Sequence, residues 1–340
     1  MANILLEKIL IIVYKLTMSK RRISNQQSAR IEKKQKQYRQ QTEKGPNAST
    51  ADGLVIQRFS RHALIESLAG TRVHCSIRPH IDSLVAGDRC IWQIEGDTQG
   101  VVVSRYPRQS ALGRPDKRGQ IKTIAANITQ VMIVVAPKPD ISWALLDSYL
   151  VMAEYLQLSI CIVLNKIDLP SEQIKQQLVK QYEPLGYSIL LTSLHDKKTH
   201  QHLQNALSQQ TSVFVGQSGV GKSSLIAGIL PLEEHIQTGA ISTRTDLGAH
   251  TTSSSCLYHL PMGGALIDSP GVREFGLWHM PVTEIAKGYR EFKPYLSQCK
   301  FRNCNHLDTV GCALLDAVKQ QAVSHYRYEN FVKISMQFAK

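Results

Sequence analysis

The sequence has no apolar run long enough to cross a bilayer, no cysteine framework of the secreted kind, no internal repeat and a shortage of acid. Each absence excludes something. The one stretch that resembles a targeting segment is residues 1–17, where Ile4–Leu6 and Ile9–Val13 are apolar but are interrupted by Glu7 and Lys8. That stretch is too short and too charged to span a membrane, and it has neither the basic start nor the small-residue cleavage site of a secretory signal. Of seven cysteines, Cys75, Cys90, Cys161 and Cys256 are scattered and three crowd into residues 299–312, so a reducing cytoplasm is expected rather than an oxidising compartment. With 27 Asp plus Glu against 40 Lys plus Arg, the net charge of +13 favours a polyanion as partner without saying which one; no membrane partner is expected. A chain of 340 residues that is 43% hydrophobic and 20% charged is neither fibrous nor wholly disordered, and it is long enough for two or three domains.

What is present is unevenly distributed. Nine basic side chains against Glu32 and Glu43 in residues 18–44 place +7 of the charge in a Gln-rich segment, read as a basic disordered arm over 18–48. Met18 opens Met-Ser-Lys-Arg-Arg, and translation is expected to start there, with residues 1–17 a mis-annotated start or disordered. Over 49–107, short β-prone runs (Gly53–Gln57, Thr71–Ile77, Asp88–Ile94, Gly100–Ser104) at roughly ten-residue spacing predict a small barrel of the oligonucleotide-binding type. Polar residues 108–120, with Pro115 and Gly119, predict a linker. Residues 121–280 then alternate buried-strand runs with helical patterns near 141–157, 171–183, 198–209 and 222–229, which predicts a mostly parallel sheet between helices. Residues 281–340 read as helical around the cysteine cluster.

Gly216-Gln217-Ser218-Gly219-Val220-Gly221-Lys222-Ser223 follows a strand pattern and precedes a helical one, the setting of a phosphate-binding loop. Its glycines let successive backbone N–H groups turn toward phosphate oxygens. Lys222 would reach the β- and γ-phosphates, Ser223 would ligate Mg²⁺, and Ser224 lies beside them. Asn165-Lys166-Ile167-Asp168 has the spacing that reads guanine. The Asp168 carboxylate accepts from the ring N–H and the exocyclic amine, Asn165 meets N7, and the Lys166 stem lies along the base. Thr192 and Ser193, ending the next strand pattern, would contact the guanine face. Asp268-Ser-Pro-Gly271 supplies a carboxylate for a Mg²⁺-bound water and an N–H for the γ-phosphate, and Thr251 or Thr252 would ligate Mg²⁺ from a switch loop. Position 272 is Val, which cannot orient water, so His250 is the nearest polar candidate for positioning it.

The order of these parts is unusual. The guanine-reading tetrapeptide precedes the phosphate loop by about fifty residues, which implies a circularly permuted domain whose switch leads directly into the C-terminal helices. There Cys299, Cys304, His306 and Cys312 form a Cys₃His set suited to one tetrahedral, structural Zn²⁺. Arg290, Lys293, Lys300 and Arg302 are read as a basic rim beside it.

Taken together, the Asn165–Asp168 motif, Gly216–Ser224, Gly248-Ala-His-Thr-Thr, Asp268–Phe275 and the Cys₃His set, in this order, resemble the circularly permuted GTPase family RsgA (YjeQ) over essentially residues 18–340. The resemblance implies an α/β fold: a circularly permuted P-loop GTPase domain with an N-terminal oligonucleotide-binding barrel and a C-terminal α-helical zinc-binding domain. It further implies late maturation of the small (30S) ribosomal subunit, contact with rRNA, and GTP hydrolysis stimulated by that subunit. It favours Thr252 as the switch ligand and supports His250, with Lys222, as hydrolytic groups; the protein would act as a cytoplasmic monomer. Two positions depart from the family pattern, Thr309-Val310 in place of Glu-Pro and Ala249 in place of Arg. An RNA-binding assembly module with vestigial hydrolysis is the alternative, kept open by Val272. An ATP-dependent kinase-like enzyme is opposed by Asp168.

Overall fold

The computed structural model describes residues 50–79, 81, 83–95, 99–115, 121–230, 255–268 and 280–338. The expectations for the arm, the start site, His250, Thr251, Thr252 and Gly271 lie outside these residues. The described residues fall into two compact units, those up to 108 with those of 113–123, and 109–112 with those from 124 onward.

The first unit is a five-stranded closed barrel. Strands β1 (Thr50–Phe59), β2 (His62–Ser67), β3 (Arg72–Ile77), β4 (Arg89–Glu95) and β5 (Gln99–Arg105) run in the order β1-β2-β3-β5-β4, and β4 returns to β1. Only β3 and β5 pair in parallel. Alternate residues point inward, so Val55, Ala63, Ile65, Cys75, Cys90, Trp92 and Val102 fill the centre. Strand β2 escaped the sequence reading because its outward residues include His62 and Glu66, which dilute the apolar signal around Ala63 and Ile65. Asp88 is fully buried and meets Arg108 through two bonds, Nε to Oδ1 at 2.7 Å and Nη2 to Oδ2 at 2.8 Å. Arg108 is thus an anchor of the barrel. Part of the expected linker is also ordered, since β6 (Ala111–Pro115) pairs with β7 (Ile121–Ala126). Polar residues and Pro and Gly on both sides of Ala111 and Leu112 hid the first strand of this hairpin.

The second unit holds a sheet in the order β10-β9-β8-β11-β13-β12, made of β8 (Gln130–Val135), β9 (Ser159–Asn165), β10 (Ser188–Thr192), β11 (Thr211–Val215), β12 (Cys256–His259) and β13 (Ala265–Asp268). All neighbours are parallel except β12, which runs antiparallel to β13 at the edge. Strand β11 lies between β8 and β13, although the chain reaches it only after completing β10 at the far edge. That crossover is the permutation in structural form. Helices α1 (Trp143–Tyr155), α2 (Glu172–Tyr182), α3 (Lys197–Leu207) and α4 (Lys222–Ile229) connect the strands. They fall within two residues of the expected spans, because their apolar spacing is helical and their strands are continuous β-branched runs.

Helices α5 (Val282–Lys287), α6 (Lys293–Leu296), α7 (Ala313–Lys319) and α8 (His325–Phe338) follow. Their core gathers Ile285, Tyr289, Phe292, Leu314 and Phe331 and includes Val151 of α1, so the C-terminal helices share a hydrophobic core with the nucleotide-site half of the unit. The Tyr289 and Phe292 rings stack at 4.4 Å, with Phe331 edge-on to both. Among the described residues no helix is long and apolar enough to cross a membrane.

Candidate functional site

The loop after β11 is shaped by its glycines. Gly216 has φ +139 and abuts the Val134 carbonyl, and Gly221 has φ +95 and abuts the Asn165 amide, so a Cβ at either position collides with a neighbour. The loop leads into α4, whose first residue is Lys222. Lys222 is 7% exposed, and its Nζ donates to the carbonyls of Gly216 (2.6 Å) and Gln217 (2.7 Å). Its ammonium therefore sits inside the curl of the loop. Val220 is buried, Ser223 is half-buried, and Ser218, Gly219 and Ser224 form the exposed rim.

Asn165 ends β9 and is 1% exposed. Its Nδ2 donates to the Val220 carbonyl at 2.9 Å, and its Oδ1 accepts from the Thr192 hydroxyl at 2.9 Å. Lys166, with φ +60, sends its Nζ to the carbonyls of Gly219 (2.7 Å) and Lys138 (3.0 Å). Ile167 N–H donates to the Thr192 carbonyl at 3.3 Å. Two segments about fifty residues apart in sequence are thereby pinned together, and the pins are the side chains of the tetrapeptide itself.

Asp168 is exposed at the end of this turn, and its Oδ1 accepts from the Ser193 hydroxyl at 2.6 Å. That bond is the main reason the carboxyl is held below its ordinary range, with its own backbone N–H, His195 and Lys166 adding to the effect. Asp168 is thus an acceptor at neutral pH. Thr192 and Ser193, expected at the guanine face, stand beside this turn, and their hydroxyls donate to Asn165 and Asp168, supporting the two side chains expected to read guanine. Asp268 closes β13, two residues beyond Leu266, which pairs with Ser212 of β11. It lies at the carboxyl ends of the parallel strands, on the same side as the loop.

A second cluster lies in the C-terminal helices. One ligand atom from each of Cys299, Cys304, His306 and Cys312 falls within 4.8 Å of all the others. Cys299 Sγ is 3.5 Å from His306 Nδ1 and 3.9 Å from Cys312 Sγ, and Cys312 Sγ is 3.6 Å from the same nitrogen. Burial lowers the His306 pKa and so favours the neutral imidazole that a metal ligand requires. Asn305 braces the loop: its Oδ1 accepts from Leu307 N–H (3.0 Å) and the Thr309 hydroxyl (2.8 Å), and its Nδ2 donates to Asp308 at 2.9 Å. Thr309 thereby gives a hydrogen-bonded turn where the family pattern has Glu-Pro.

The basic rim needs one correction. Arg290 Nε is paired with Glu154 Oε1 at 2.5 Å, its Nη1 donates to the Leu185 carbonyl at 2.9 Å, and its guanidinium lies 4.1 Å over the Tyr187 ring. Its charge is used inside the unit. Lys293 also pairs with Glu154, at 3.3 Å, whereas Phe301 is 46% exposed with the Lys300 ammonium over its ring.

Comparison with known proteins agrees with these observations. The RsgA GTPase family model matches residues 105–278. A protein of Hahella chejuensis named small ribosomal subunit biogenesis GTPase RsgA is 43% identical over 335 residues, covering 93% of this chain and 96% of that one. The solved structure of YjeQ from Thermotoga maritima superposes with a TM-score of 0.70 at 29% identity, over 85% of this chain and 99% of the other. That of YloQ, described as a circularly permuted GTPase, superposes with a TM-score of 0.68 at 25% identity, over 85% and 95%. With the phosphate loop on a central strand that the chain reaches only after β8, β9 and β10, and with these relatives spanning nearly its whole length, the chain belongs to the RsgA GTPase family.

Proposed function

We propose that this GTPase acts in late maturation of the small ribosomal subunit, binding its rRNA and hydrolysing GTP to GDP and phosphate to time its own release. The observation that carries the nucleotide part is the pinning of the guanine-reading turn to the phosphate loop by Asn165 and Lys166. Those bonds fix the spacing between the base-reading carboxylate and the phosphate cradle, and a fixed spacing lowers the ordering cost of binding. The subunit is the polyanion that the relatives are named for, and the +13 charge suits it.

In this reading the two N–H groups of guanine donate to Asp168, held in place by Ser193. Backbone N–H groups of residues 217–222 face the phosphates, and the Lys222 ammonium exchanges the Gly216 and Gln217 carbonyls for phosphate oxygens. Ser223 and Thr252 would offer hydroxyl oxygens, which suit a hard divalent cation, and Asp268 would bond one of its waters. Mg²⁺ held there would neutralise charge on the β- and γ-phosphates. His250 would orient the attacking water and hold its proton, and Gly271 N–H would bond the γ-phosphate. Lys222→Ala is expected to weaken GDP binding at least about a hundredfold in a titration with a fluorescent GDP analogue, because phosphate charge then loses its buried counter-charge. His250→Ala should lower the subunit-stimulated turnover about a hundredfold while leaving GDP affinity unchanged. Full stimulated turnover in that variant would remove His250 from the mechanism.

For the Cys₃His cluster we propose one structural Zn²⁺. A tetrahedral ion with Zn–S about 2.3 Å and Zn–N about 2.0 Å requires S···S near about 3.8 Å and S···N near about 3.5 Å. The observed 3.9, 3.5 and 3.6 Å fit those edges. Four protein ligands leave no open position for catalysis.

The deciding experiment compares GTPase rate with and without purified small subunits, together with salt-dependent co-sedimentation in GDP and in a non-hydrolysable GTP analogue. Stimulated hydrolysis, with tighter binding in the GTP-analogue state, is the expected outcome. Unstimulated turnover with equal binding in both states would favour the RNA-binding module with vestigial hydrolysis.

A further inference from the structure

Helix α1 touches the phosphate loop at one end and the C-terminal helices along its flank. At its start, the Ser142 N–H donates to Gln217 Oε1 at 3.4 Å, and Ile141, Leu145 and Leu146 line the apolar floor beneath Gly216 and Val220. One residue beyond Leu146, Asp147 points the other way and is fully buried. Its carboxylate accepts from Tyr182 OH at 2.9 Å, from Asn330 Nδ2 at 2.9 Å, and from Arg327 Nη1. Arg327, 1% exposed, also gives its Nε to Glu291 Oε1 at 2.7 Å, and its guanidinium packs on the rings of Tyr289 (4.6 Å) and Tyr182 (5.0 Å).

The next residue of α8 faces the cysteine loop. Tyr328 OH donates to the carbonyls of His306 (3.0 Å) and Leu307 (3.1 Å), directly at the metal-ligand turn. Ser324, just before α8, adds a bond to Gln181 of α2 at 2.8 Å. Within residues 324–330 the chain therefore grips α1, α2, Glu291 and the cysteine loop. A buried Asp–Arg–Glu group adds little net stability over apolar packing, but it tolerates one arrangement and penalises others, since a displaced partner leaves a charge buried and unpaired. A metal ion that orders the His306 turn thus biases the seat of Tyr328, through it the seat of Arg327 on Asp147, and through the start of α1 the position of Ser142 against Gln217 of the phosphate loop.

We propose that Asp147, Arg327 and Tyr328 are positioning residues that couple metal occupancy to nucleotide affinity, by a route separate from the switch that follows Asp268. The inference rests on the nucleotide and metal readings above. Coupling of this kind is reciprocal: if the metal tightens GDP binding, GDP tightens metal binding by the same factor.

The test uses the full-length protein. Zn²⁺ affinity is measured by competition with the chromophoric chelator 4-(2-pyridylazo)resorcinol, with and without saturating GDP and Mg²⁺, in the unaltered chain and in Asp147→Asn and Tyr328→Phe. GDP is expected to tighten Zn²⁺ binding by about fivefold or more in the unaltered protein. In each variant that factor should fall toward one while both ligands still bind singly, a result that loss of stability alone would not produce. Tyr328→Phe removes only a hydroxyl, so it serves if Asp147→Asn fails to fold. Zn²⁺ affinity indifferent to GDP in the unaltered protein overturns the inference, as does undiminished coupling in the variants. Absence of GDP binding by the unaltered protein would instead strike the nucleotide-site reading and take the inference with it.

Discussion

Cys312→Ser is expected to abolish high-affinity Zn²⁺ binding and to melt the C-terminal helices, with a loss of helical circular dichroism and a fall in Tm of at least about 10 °C. Structural zinc sites contribute on the order of 10 kcal/mol or more of folding free energy, comparable to the whole stability of a domain. Here the ligands are part of the core, since Cys304 and Cys312 belong to the same buried cluster as Tyr289, Phe292 and Phe331. Helix α7 begins at the residue after Cys312, so the ligand also anchors its first turn. A hydroxyl in place of the thiolate leaves three ligands around a soft-donor site and puts an unpaired polar group in a buried position. Because Val151 of α1 shares this core, the damage should reach the nucleotide half of the unit and appear as weakened GDP binding as well. Zinc stoichiometry by mass spectrometry, a thermal melt and a GDP titration check the three parts. A variant that keeps its Tm within about 2 °C would show that the cluster does not hold a structural metal.

Asp168→Asn is expected to lower affinity for GDP by at least about a hundredfold and to raise affinity for xanthosine diphosphate, which carries a carbonyl where guanine has its amine. A site built to accept two hydrogen bonds rejects a mismatched partner by large factors because polar groups are left unpaired. The Asn side chain turns an acceptor into a donor at one position, so it faces the guanine amine with an N–H and the xanthine carbonyl with a complement. Ser193 still reaches the remaining oxygen, which keeps the side chain oriented and makes the exchange selective rather than merely destructive. Isothermal titration with both nucleotides gives the ratio, and an unchanged preference for guanine would remove Asp168 from base recognition. The pH dependence follows from the same contact. The Asp168 pKa is depressed, first by the Ser193 hydroxyl, so the ionised acceptor persists below the ordinary carboxylate range and is lost only on further acidification. GDP affinity should therefore be insensitive to this group between about pH 5 and pH 8, where a free carboxylate of pKa about 3.9 is already ionised and this one more so.

What could be read before the structure was the chemistry whose spacing is local. The loop Gly216–Ser223 and the tetrapeptide Asn165–Asp168 each carry their meaning within a few residues, as does Cys299–Cys312. Their order alone called for a permuted sheet, and β11 lies between β8 and β13 accordingly. The parallel strands were legible because strands buried on both faces are continuous apolar runs. Strand β2 and the hairpin of β6 with β7 were not, since half-polar strands differ little in composition from loops.

Long-range pairing left no trace in the sequence. Arg290 read as a surface charge for RNA until its partner Glu154, 136 residues earlier, was in place. Asp147 and Arg327, 180 residues apart, gave no sign of forming the buried joint between α1 and α8. That the Thr192 and Ser193 hydroxyls support Asn165 and Asp168 was likewise not legible. The sequence by itself determined the family, the nucleotide and metal motifs and the permuted order, because each depends on residue types at short fixed intervals. The tertiary structure alone decided which charges are structural, and that the cysteine loop and the phosphate loop are joined through α8 and α1. The physical reason is that a charge's role depends on what desolvates and pairs it, and those partners come from distant parts of the chain.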